Sequence, residues 1–340
     1  MSPRSLAPLL LLFVLAGCAG CSGPSISLPS ASGFEVEPPP TFKTEGLRLA
    51  TLNAEFMFDG DEEEGAAGFD WKGDPEASQA HRARVGRVVQ MLDADLVMLQ
   101  EVENQRALDL LIDEQLEGLG YTGVLVNGTD TFTRQNVALL TRLPIEEAGR
   151  TNVRVPVGAM SEQTYGVSKN LWVRLTLPSG TPATLIGVHF LARPDDTTRK
   201  DRREAQAEVI RRLVVREQEA GRAVAVLGDF NDFDASVRDV RGSQPITDVL
   251  TRIRSADPAD PTDDLTNVMG DVPQRRRFTA LYDRNGNGTV DRGELSAIDH
   301  ILLSADLYAA IREVTYVHSH DPLVAPDHFP VVVTLGRVER

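Results

Sequence analysis

The sequence predicts an α/β fold in which two packed, mostly antiparallel β-sheets are flanked by helices in a four-layer sandwich. Three observations predict this fold. Short apolar runs of strand length recur along the chain, a few longer segments have the spacing of amphipathic helices, and no change in composition divides residues 47–340. Since no repeat at a fixed period is visible, we expect a single domain.

The residues before this domain are predicted to export and tether it. Arg4 precedes an apolar run, Leu6–Ala16, that is too short to span a bilayer but suits a signal-peptide core. The run ends in Leu-Ala-Gly-Cys, which resembles the bacterial lipoprotein box and implies a signal peptide over residues 1–17 and a lipid on Cys18. An ordinary secretory signal is the alternative. Residues 18–46 are rich in Ser and Pro and predict a flexible or partly polyproline tether. We therefore expect a monomer that is lipid-anchored in the bacterial cell envelope and exposed outside the cytoplasm.

The first half of the domain alternates between predicted strands and helices. Leu47–Asn53 has the polarity of a short strand, and the acidic, Gly-rich residues 59–76 predict a long loop. Apolar residues at helical spacing predict a helix over Ser78–Leu92, with Ser78 as its N-cap. A second predicted helix, Gln105–Leu119, ends at Gly120. The other strands predicted in this half are Leu96–Leu99, Gly123–Val126, Val137–Thr141, Asn170–Leu177 and Ala183–His189.

The second half begins with a long charged amphipathic helix, predicted over Arg199–Glu219. It is followed by an uninterrupted apolar run that predicts a buried strand, Ala223–Leu227. The later strand-like runs are Phe278–Tyr282, Ile298–Leu303, Ile311–Val317 and Val331–Leu335. These runs supply enough strands for the second layer of the sandwich.

Composition restricts the classes of function. The sequence has 35 Lys and Arg against 50 Asp and Glu, a formal charge of −15. This balance argues against a general nucleic-acid coat protein but is compatible with an enzyme that has a local basic groove. The two cysteines, Cys18 and Cys21, both precede the domain. A metal in the domain must therefore be held by oxygen and imidazole ligands.

Polar residues stand at or near the ends of several predicted strands, where side chains from distant parts of a sequence can meet on one rim of a sandwich. Their carboxylate, amide and imidazole groups suit Mg²⁺ or Mn²⁺ better than zinc. In chain order, the motifs that contain them are Ala50–Glu55 (ATLNAE), Asp95–Glu101 (DLVMLQE), Asn136–Thr141 (NVALLT), Gly187–Phe190 (GVHF), Gly228–Asn231 (GDFN), Ile298–Ile301 (IDHI) and Asp327-His328.

This ordered set of motifs resembles that of the endonuclease/exonuclease/phosphatase superfamily, which consists of metal-dependent phosphoesterases with a DNase I-like fold. The resemblance extends from about Leu47 to Leu335. It implies a site for Mg²⁺ or Mn²⁺ with Glu101 as the main ligand. Asn53, Glu55 and Asp327 are the further metal-site residues that it implies.

The resemblance also implies catalytic roles. Asp299 would pair with His328, and the imidazole would take a proton from the attacking water. Asp229 would orient or activate that water, and Asn231 would donate to a phosphate oxygen. His189 would contact the phosphate or serve the leaving group. The implied reaction is in-line hydrolysis of a phosphoester without a covalent intermediate.

Asn136 and Arg193 are the two residues expected to bind substrate. Arg193 stands where the family often has Lys-Ser after the His189 motif, and it either contacts the substrate phosphate or is a solvated loop residue. Pro326 replaces the Ser that usually precedes the terminal Asp-His, and we expect it to stiffen the loop. The histidines without a motif role, His81 and His300, are expected to be structural. His318 and His320 form either a metal-ligand pair or part of a variable loop.

Residues 283–294, DRNGNGTVDRGE, match the EF-hand calcium loop at positions 1, 3, 5, 6, 9 and 12. Gly288 permits the sharp turn. The predicted Ca²⁺ ligands are Asp283, Asn285, Asn287, Thr289 through its carbonyl, Asp291 and Glu294. Because the flanking segments look like strands rather than helices, an acidic hairpin loop is the alternative. We expect a weakly held structural ion that fixes the hairpin presenting Asp299.

The substrate is the least determined property. Basic clusters at Arg199-Lys200, Arg202-Arg203 and Arg275–Arg277 either contact a phosphate-rich substrate or are solvated. We expect an exported nuclease that acts on a phosphodiester substrate, nucleic acid. The alternatives are a sphingomyelinase-like phospholipid phosphodiesterase or other phosphatase, and a non-catalytic surface binding protein on the same fold. A membrane-acting enzyme predicts an exposed apolar loop, and a binding protein predicts lost catalytic residues.

Overall fold

The structure, a computed structural model, describes residues 33–61, 65–158, 162–255, 259–324 and 326–338. Most of the strands in these ranges are short. They are β1 (Leu47–Met57), β2 (Leu96–Val102), β3 (Thr122–Leu125), β4 (Asn136–Thr141), β5 (Glu147–Gly149), β6 (Arg154–Pro156), β7 (Thr164–Gly166), β8 (Lys169–Thr176), β9 (Pro182–His189), β10 (Ala223–Asp229), β11 (Thr266–Asn267), β12 (Ala280–Leu281), β13 (Leu295–Ser296), β14 (Asp299–Leu303), β15 (Ile311–Tyr316) and β16 (Val331–Leu335). The α-helices are α1 (Pro75–Leu92), α2 (Gln105–Gln115), α3 (Lys200–Glu219), α4 (Val249–Arg254) and α5 (Ala305–Ala309).

Two six-stranded sheets form the centre of the fold. Their strand orders are β15-β16-β1-β2-β4-β3 and β11-β14-β10-β9-β8-β5. Each sheet has one parallel pair, β1–β2 in the first and β9–β10 in the second, and its other neighbouring strands are antiparallel. The predicted pair of mostly antiparallel sheets is therefore confirmed. Two small hairpins, β6–β7 and β12–β13, lie outside these sheets.

Alternate side chains of each strand build different layers of the core. Met98 and Leu139 of the first sheet share a buried cluster with Leu185 and Leu227 of the second, so these residues fill the space between the sheets. The sheets approach closely at Gly187, where a Cβ atom would lie 2.3 Å from the Met98 sulfur. This close approach explains the glycine of the GVHF motif.

The strand side chains that alternate with the residues between the sheets face outward, and helices cover them. α1 and α2 pack on the outer face of the first sheet, and α3 and α4 pack on the outer face of the second. The order of layers is thus helix, sheet, sheet, helix, as predicted. None of the helices in the described part of the chain has both the length and the apolar character needed to cross a membrane.

Several predicted boundaries need correction. α1 begins at Pro75 and is capped by Asp74, whose side chain accepts a hydrogen bond from the Ala77 N–H, so Ser78 is not its N-cap. α2 ends at Gln115, four residues before the predicted Leu119. Only Ala280–Leu281 of the run Phe278–Tyr282 is a strand. The sequence analysis also missed the short elements α4, α5, β5, β6, β7, β11 and β13.

The described part of the predicted tether, residues 33–46, packs against the domain. The Glu37 carboxylate forms a bidentate ion pair with Arg276, at 2.6 and 2.7 Å, and Phe34 lies 5.4 Å from Phe329 between ring centroids. The prediction of a flexible tether is therefore wrong for this stretch. The signal peptide and Cys18 lie outside the described residues.

Candidate active site

The ends of neighbouring strands bring the predicted catalytic residues into one row. In the second sheet, Asp229 at the end of β10 lies directly opposite His189 of β9 on one side and Asp299 of β14 on the other. The first sheet contributes Asn53 from β1 and Glu101 from β2. The Asn53 amide nitrogen lies 3.2 Å from a Glu101 oxygen and 3.3 Å from an Asp229 oxygen, so this side chain links the two sheets at the site.

The backbone at this rim has unusual conformations. Glu55, Glu101 and Asn231 have φ angles of 50°, 59° and 47°, in the left-handed region that residues other than glycine seldom adopt. Gly228 has a φ of 139°, and a Cβ atom there would lie 2.1 Å from the Val188 carbonyl oxygen. Strained residues of this kind cluster at functional sites, where the surrounding structure holds them in place.

His328 and Asp299 form a buried hydrogen-bonded pair. The Nδ1 atom of His328 lies 2.7 Å from an Asp299 carboxylate oxygen. Burial disfavours the charged imidazole, but the neighbouring Asp299, Asp327 and Asp229 outweigh it and hold the pKa of His328 well above its usual value. Because Asp299 occupies Nδ1, the Nε2 atom is the one left to face a reacting group, and it lies 3.9 Å from Asp327.

Two residues that the sequence analysis did not place in the site hold this pair. The Thr279 hydroxyl oxygen accepts hydrogen bonds from the N–H groups of Ile298 and Asp299, at 3.1 and 3.0 Å. The His320 Nε2 atom lies 3.1 Å from the His328 carbonyl oxygen. Thr279 and His320 lie outside the seven motifs, so the sequence gives no signal for these roles.

His189 lies between two carboxylates. Its Nε2 atom is 3.7 Å from Glu101 and 3.6 Å from Asp229, and its Nδ1 atom is buried without a hydrogen-bond partner among the described residues. Burial, together with the positive charges of Lys169 and His328, holds the pKa of His189 well below its usual value. The imidazole is therefore neutral at physiological pH, able to donate from one nitrogen and accept at the other.

Asp229 and Asn231 act as one unit. The Asp229 carboxylate accepts hydrogen bonds from the backbone N–H of Asn231 at 2.8 Å and from its side-chain amide at 2.9 Å. The left-handed backbone of Asn231 makes both contacts possible. The Asn231 amide lies in the same cleft as Asp229, as the predicted phosphate contact requires.

The carboxyl groups of the site lie close together, and their pKa values are raised accordingly. Burial and the nearby Asp327 and Glu101 raise the pKa of Glu55 to about 9. Burial and Asp299 raise the pKa of Asp229 to about 8, and burial and neighbouring carboxylates raise the pKa of Asp327 to about 6. Such a concentration of oxygen ligands fits a divalent cation, whose charge would favour the ionised forms.

Two neighbouring sets of groups could hold a cation. The first set is the predicted one of Glu101, Asn53, Glu55 and Asp327, in which the Asn53 amide lies 3.2 Å from Glu101 and the Asp327 N–H donates to Glu55 at 3.2 Å. Ligand atoms of Asp229, Asp299 and His328 also lie within 4.8 Å of one another. We favour the first set for the cation, because the Nδ1 atom of His328 in the second set is already bonded to Asp299.

The two predicted substrate-binding residues have different positions. Arg193 is exposed on the wall of the catalytic cleft, with a φ of 70°. Asn136 borders a neighbouring depression instead. Its amide bonds the backbone of Gly128, Glu103 and Arg134, so the structure uses Asn136 to hold loops beside the site. The substrate role of Asn136 stays a prediction.

Most of the basic residues that the sequence offered for substrate binding have structural partners. Arg203 is fully buried and donates to the carbonyl oxygens of Arg193 and Pro194, both at 2.7 Å. Arg276 binds Glu37, and Arg277 donates to the Val272 carbonyl at 2.6 Å. These guanidinium groups therefore have a structural role, because their hydrogen bonds are made within the protein.

The other histidines bond and pack inside the protein. His81 bonds the Ala54 carbonyl at 2.7 Å and stacks on Trp71, and His300 bonds the Asp232 carbonyl at 3.0 Å. Both fit the structural role expected of them. His318 bonds the Phe278 carbonyl at 3.0 Å and stacks on that ring, while His320 supports His328. The geometry thus favours structure over a metal-ligand pair for the last two.

Together, the fold and the site define a hydrolase that acts on phosphoesters. The chain belongs to the Endonuclease/Exonuclease/phosphatase family, whose sequence model matches residues 50–321. A search of curated proteins found no match.

The chain is also similar to solved structures. One is a 3'-5' exonuclease (NExo) from Neisseria Meningitidis, with 17% identity, a TM-score of 0.55, and coverage of 85% of this chain and 99% of that chain. An AP endonuclease from Archaeoglobus fulgidus has 15% identity, a TM-score of 0.53 and the same coverage of 85% and 99%. A 3' phosphatase from Neisseria bound to a product DNA hairpin has 18% identity, a TM-score of 0.51 and again 85% and 99% coverage. At these identities the similarity shows the fold.

Proposed function

We propose that this protein is a metal-dependent phosphodiesterase that cleaves nucleic acid. The observation behind the proposal is the arrangement at the strand ends, where Glu101, Asp229 and the Asp299-bonded His328 line one cleft of about 700 Å³. The catalytic residues that a non-catalytic binding protein would have lost are all present and in contact. This observation favours an enzyme over a binding protein.

The donor set fits Mg²⁺ or Mn²⁺. Glu101 would be the principal ligand, with Asn53, Glu55 and Asp327 around it, because these side chains offer oxygen atoms and no sulfur. A bound divalent ion would neutralise phosphate charge and stabilise the oxygen that leaves. The positive charge would also lower the raised pKa values of the surrounding carboxyl groups.

The protein's own residues would then handle the water and the phosphate. Asp299 holds the His328 ring through Nδ1, so Nε2 is directed to the reacting water and receives its proton. Asp229 accepts a hydrogen bond from that water and orients it. The neutral His189 and the Asn231 amide donate to non-bridging phosphate oxygens, which gain negative charge as the water attacks. Charge-stabilising donors of this kind typically contribute about 10²–10³-fold in rate.

The cleft wall supports an anionic, extended substrate. Arg193, Arg241 and Arg284 are the arginines among the described residues that line it. Arginine suits phosphate because its guanidinium donates two parallel hydrogen bonds. The similar structures, an exonuclease, an AP endonuclease and a phosphatase bound to product DNA, support nucleic acid as the substrate class.

One observation favours a phospholipid as a second candidate substrate. Tyr282 and Val324 are exposed by 70% and 62%, and both border a depression beside Glu55 and Asp327. The sequence analysis found no strong apolar loop, but the fold brings these separate residues to one edge of the site. An apolar edge of this kind fits an acyl chain or a membrane surface.

The experiment that tests the proposal is a substrate panel. The purified protein is assayed on plasmid DNA, RNA, sphingomyelin and bis-p-nitrophenyl phosphate with Mg²⁺, Mn²⁺, Ca²⁺ or EDTA, beside His328→Ala. Metal-dependent cleavage of DNA or RNA that the variant loses supports the nuclease. Turnover of sphingomyelin alone would show that the substrate is a lipid rather than nucleic acid. A folded protein, with normal circular dichroism, that turns over no substrate would contradict the proposal that this protein is an enzyme.

We also propose that the domain is exported and anchored by a lipid on Cys18, as the N-terminal motif predicts. The test is labelling of cells with a clickable palmitate analogue, comparing the full chain with Cys18→Ala. A label that is equal on both would contradict the anchor. The matched control is Cys21→Ala, which is expected to retain the label.

A further inference from the structure

The EF-hand-like segment forms a closed loop between β12 and β13. Its first residue, Asp283, accepts hydrogen bonds from the N–H groups of Gly286 at 2.7 Å and Gly288 at 3.0 Å. Gly288 has a φ of 67°, which permits the sharp reversal of the chain at position 6. A short 3₁₀ turn over Arg292–Glu294 then returns the chain to β13. The loop is thus flanked by short strands rather than helices, although β13 was not predicted, and it is folded back on itself.

Side chains from positions 3, 9 and 12 of the loop meet at one point. The Asn285 amide nitrogen lies 3.0 Å from a Glu294 carboxylate oxygen and 3.4 Å from an Asp291 oxygen. The neutral Asn285 side chain therefore points its N–H groups at two carboxylates. Rotation of this amide would turn its oxygen toward the same point, which is the ligand that position 3 supplies in a calcium loop.

Glu294 itself gives an independent indication of a ligand. The side chain is only 8% exposed, and its Oε2 atom is buried without a hydrogen-bond partner among the described residues. Its other oxygen, Oε1, accepts bonds from Asn285 and from the Arg284 N–H at 3.0 Å, which places the carboxylate against the inside of the loop. An unpaired buried carboxylate oxygen is costly, and a cation bound through both oxygens would satisfy it.

The loop also forms part of the catalytic cleft. Tyr282, Arg284 and Glu294 all line that cleft. Arg241, a second cleft arginine, donates to the Gly293 carbonyl at position 11 of the loop at 2.9 Å. The position of two cleft arginines and one exposed aromatic ring therefore depends on how the loop is folded.

We propose that residues 283–294 bind one Ca²⁺ ion and that the ion fixes the Tyr282–Arg284 edge of the catalytic cleft. The ligands are the carboxylates of Asp283, Asp291 and Glu294, the amide oxygens of Asn285 and Asn287, and the Thr289 carbonyl. Calcium binding is independent of the proposed nuclease activity, whereas the effect of the ion on substrate binding rests on it. Since the loop has no paired EF-hand, the expected Kd is about 10⁻⁴–10⁻³ M.

The first test is a direct binding measurement on the full chain after chelation of metals. Calcium is titrated by calorimetry, and Tb³⁺ is bound with excitation of tyrosine, since Tyr282 adjoins the first ligand. We expect Tb³⁺ emission that Ca²⁺ competes away, and a loss of this binding of at least about 10-fold in Asp283→Asn and in Glu294→Gln. Asp283 is only partly buried, so its substitution keeps the test valid if Glu294→Gln fails to fold.

Two controls separate this site from the catalytic one. Glu117→Gln removes an exposed carboxylate far along the chain and is expected to leave binding unchanged. Glu101→Gln removes a proposed catalytic ligand and is expected to leave the terbium signal unchanged. If Asp283→Asn binds Ca²⁺ as the wild type does, or if Glu101→Gln alone abolishes the signal, the loop is not the calcium site.

The second test measures the order of the cleft edge without using activity. Arg284 and Arg292 are exposed trypsin sites inside the loop. Millimolar Ca²⁺ is expected to slow cleavage after these residues several-fold in the wild type and to have no effect in Asp283→Asn. Equal cleavage with and without Ca²⁺ would overturn the proposal that the ion fixes the edge. In an active preparation, Ca²⁺ should also lower KM, and a KM indifferent to Ca²⁺ would restrict the ion to a structural role.

Discussion

The Thr279 hydroxyl oxygen accepts a hydrogen bond from the backbone N–H of Asp299 at 3.0 Å, and so fixes the start of the strand that presents the catalytic carboxylate. Both residues are buried, with 0% and 1% of their surface exposed. The same oxygen accepts the N–H of Ile298 at 3.1 Å. A single side chain outside the motifs thus satisfies two buried donors at the base of the His328–Asp299 pair.

Thr279→Val should therefore damage both stability and catalysis. Valine keeps the shape but leaves two buried N–H groups without an acceptor, and we expect a loss of about 2–4 kcal/mol in the free energy of unfolding. We expect kcat to fall about 10-fold because Asp299 is no longer fixed. Urea denaturation and steady-state kinetics measure these changes. Thr279→Ser keeps the hydroxyl and should have the stability and kcat of the wild type. If Thr279→Val also has the kcat of the wild type, the hydroxyl does not position Asp299.

Arg203→Met should be strongly destabilising. The guanidinium is fully buried and lies 3.6 Å from the buried Asp232. It donates hydrogen bonds to the carbonyl oxygens of Arg193 and Pro194 in the wall of the cleft. Breaking a buried ion pair leaves an uncompensated charge, at a cost of about 3–5 kcal/mol. Urea denaturation measures the loss.

The neighbouring Arg202 provides the matched control for this prediction. Arg202 is exposed, so Arg202→Met should change the free energy of unfolding by less than about 0.5 kcal/mol. Adding Asp232→Asn to Arg203→Met should recover part of the loss, because no buried charge then remains. Equal effects of Arg202→Met and Arg203→Met would show that burial of the guanidinium is not the cause.

The sequence predicted those parts of the site that belong to regular strands. Asp229, His189 and Asp299 lie in one row because β9, β10 and β14 pair in register. Apolar runs marked these strands, with Asp229 and His189 at the ends of two of them and Asp299 within the third, and the family resemblance implied their roles. The many short strand-length runs with a few inserted helices likewise predicted two sheets flanked by helices. Local pattern was sufficient here because the apolar runs and helical spacings that mark these elements lie within short stretches of sequence.

The remaining features depend on contacts that sequence spacing does not encode. Arg203 was expected either to contact a phosphate-rich substrate or to be solvated, although its position in α3 turns it inward toward the Arg193 loop. Asn136 opens a motif strand, yet its amide bonds neighbouring loops instead of entering the cleft. The segment at 33–46 has no apolar period, so its packing through Phe34 and Glu37 rests on tertiary contacts alone. Each of these features depends on a specific side-chain contact that leaves no periodic pattern in the sequence.

Asp299→Asn should shift the pH dependence of activity toward lower pH. The Asp299 carboxylate raises the pKa of His328, and the isosteric amide removes that charge. If His328 acts in its unprotonated form, kcat/KM rises with pH through the pKa of His328, so the rise should come earlier in the variant. The maximum should fall about 10²–10⁴-fold, as expected for a disturbed general base.

The measurement for this prediction is kcat/KM against pH for the wild type and Asp299→Asn. Asp113→Asn removes an exposed carboxylate elsewhere and should leave the profile unchanged. A rise that moves to higher pH in Asp299→Asn would contradict the assignment of His328 as the base.

Glu217 should contribute to stability only above acidic pH. Its side chain is buried and accepts hydrogen bonds from Arg174 at 2.8 and 2.9 Å and from Thr184 at 2.9 Å. Burial opposes ionisation, but these bonds outweigh it and lower the pKa of Glu217 from 4.5 to about 2. Because the folded pKa is depressed, the contribution is complete above pH 4.5 and is lost as the pH falls toward 2.

Glu217→Gln therefore tests the sign of this contribution. At pH 7 we expect a loss of about 3 kcal/mol in the free energy of unfolding, with a much smaller difference from the wild type near pH 2. Denaturant unfolding across this range provides the measurement. Glu219→Gln, an exposed neighbour on the same helix, should have little effect at any pH. A constant difference across the range would mean that the ion pair is not the source.

Cation binding at the catalytic site should release protons. Without a cation, burial and close neighbours raise the pKa of Asp229 to about 8 and that of Glu55 to about 9, so both hold protons at pH 7. A divalent cation favours the ionised forms, and binding must therefore tighten as the pH rises from 6 toward 9. Calorimetric titration with Mn²⁺ in two buffers of different ionisation enthalpy measures the released protons directly.

Glu101→Gln distinguishes this site from adventitious binding at the acidic surface. Removing the principal carboxylate should weaken Mn²⁺ binding at least about 10-fold, a loss comparable to those that follow removal of groups supporting a metal site. Proton release should fall with it, because the cation no longer enters the cluster that holds Glu55 and Asp229. Asp113→Asn, which removes one exposed charge, should alter neither quantity. Mn²⁺ binding that is independent of pH and equal in Glu101→Gln would place the ion elsewhere, since among the described residues the buried carboxyl cluster is the group that combines raised pKa values with contact to Glu101.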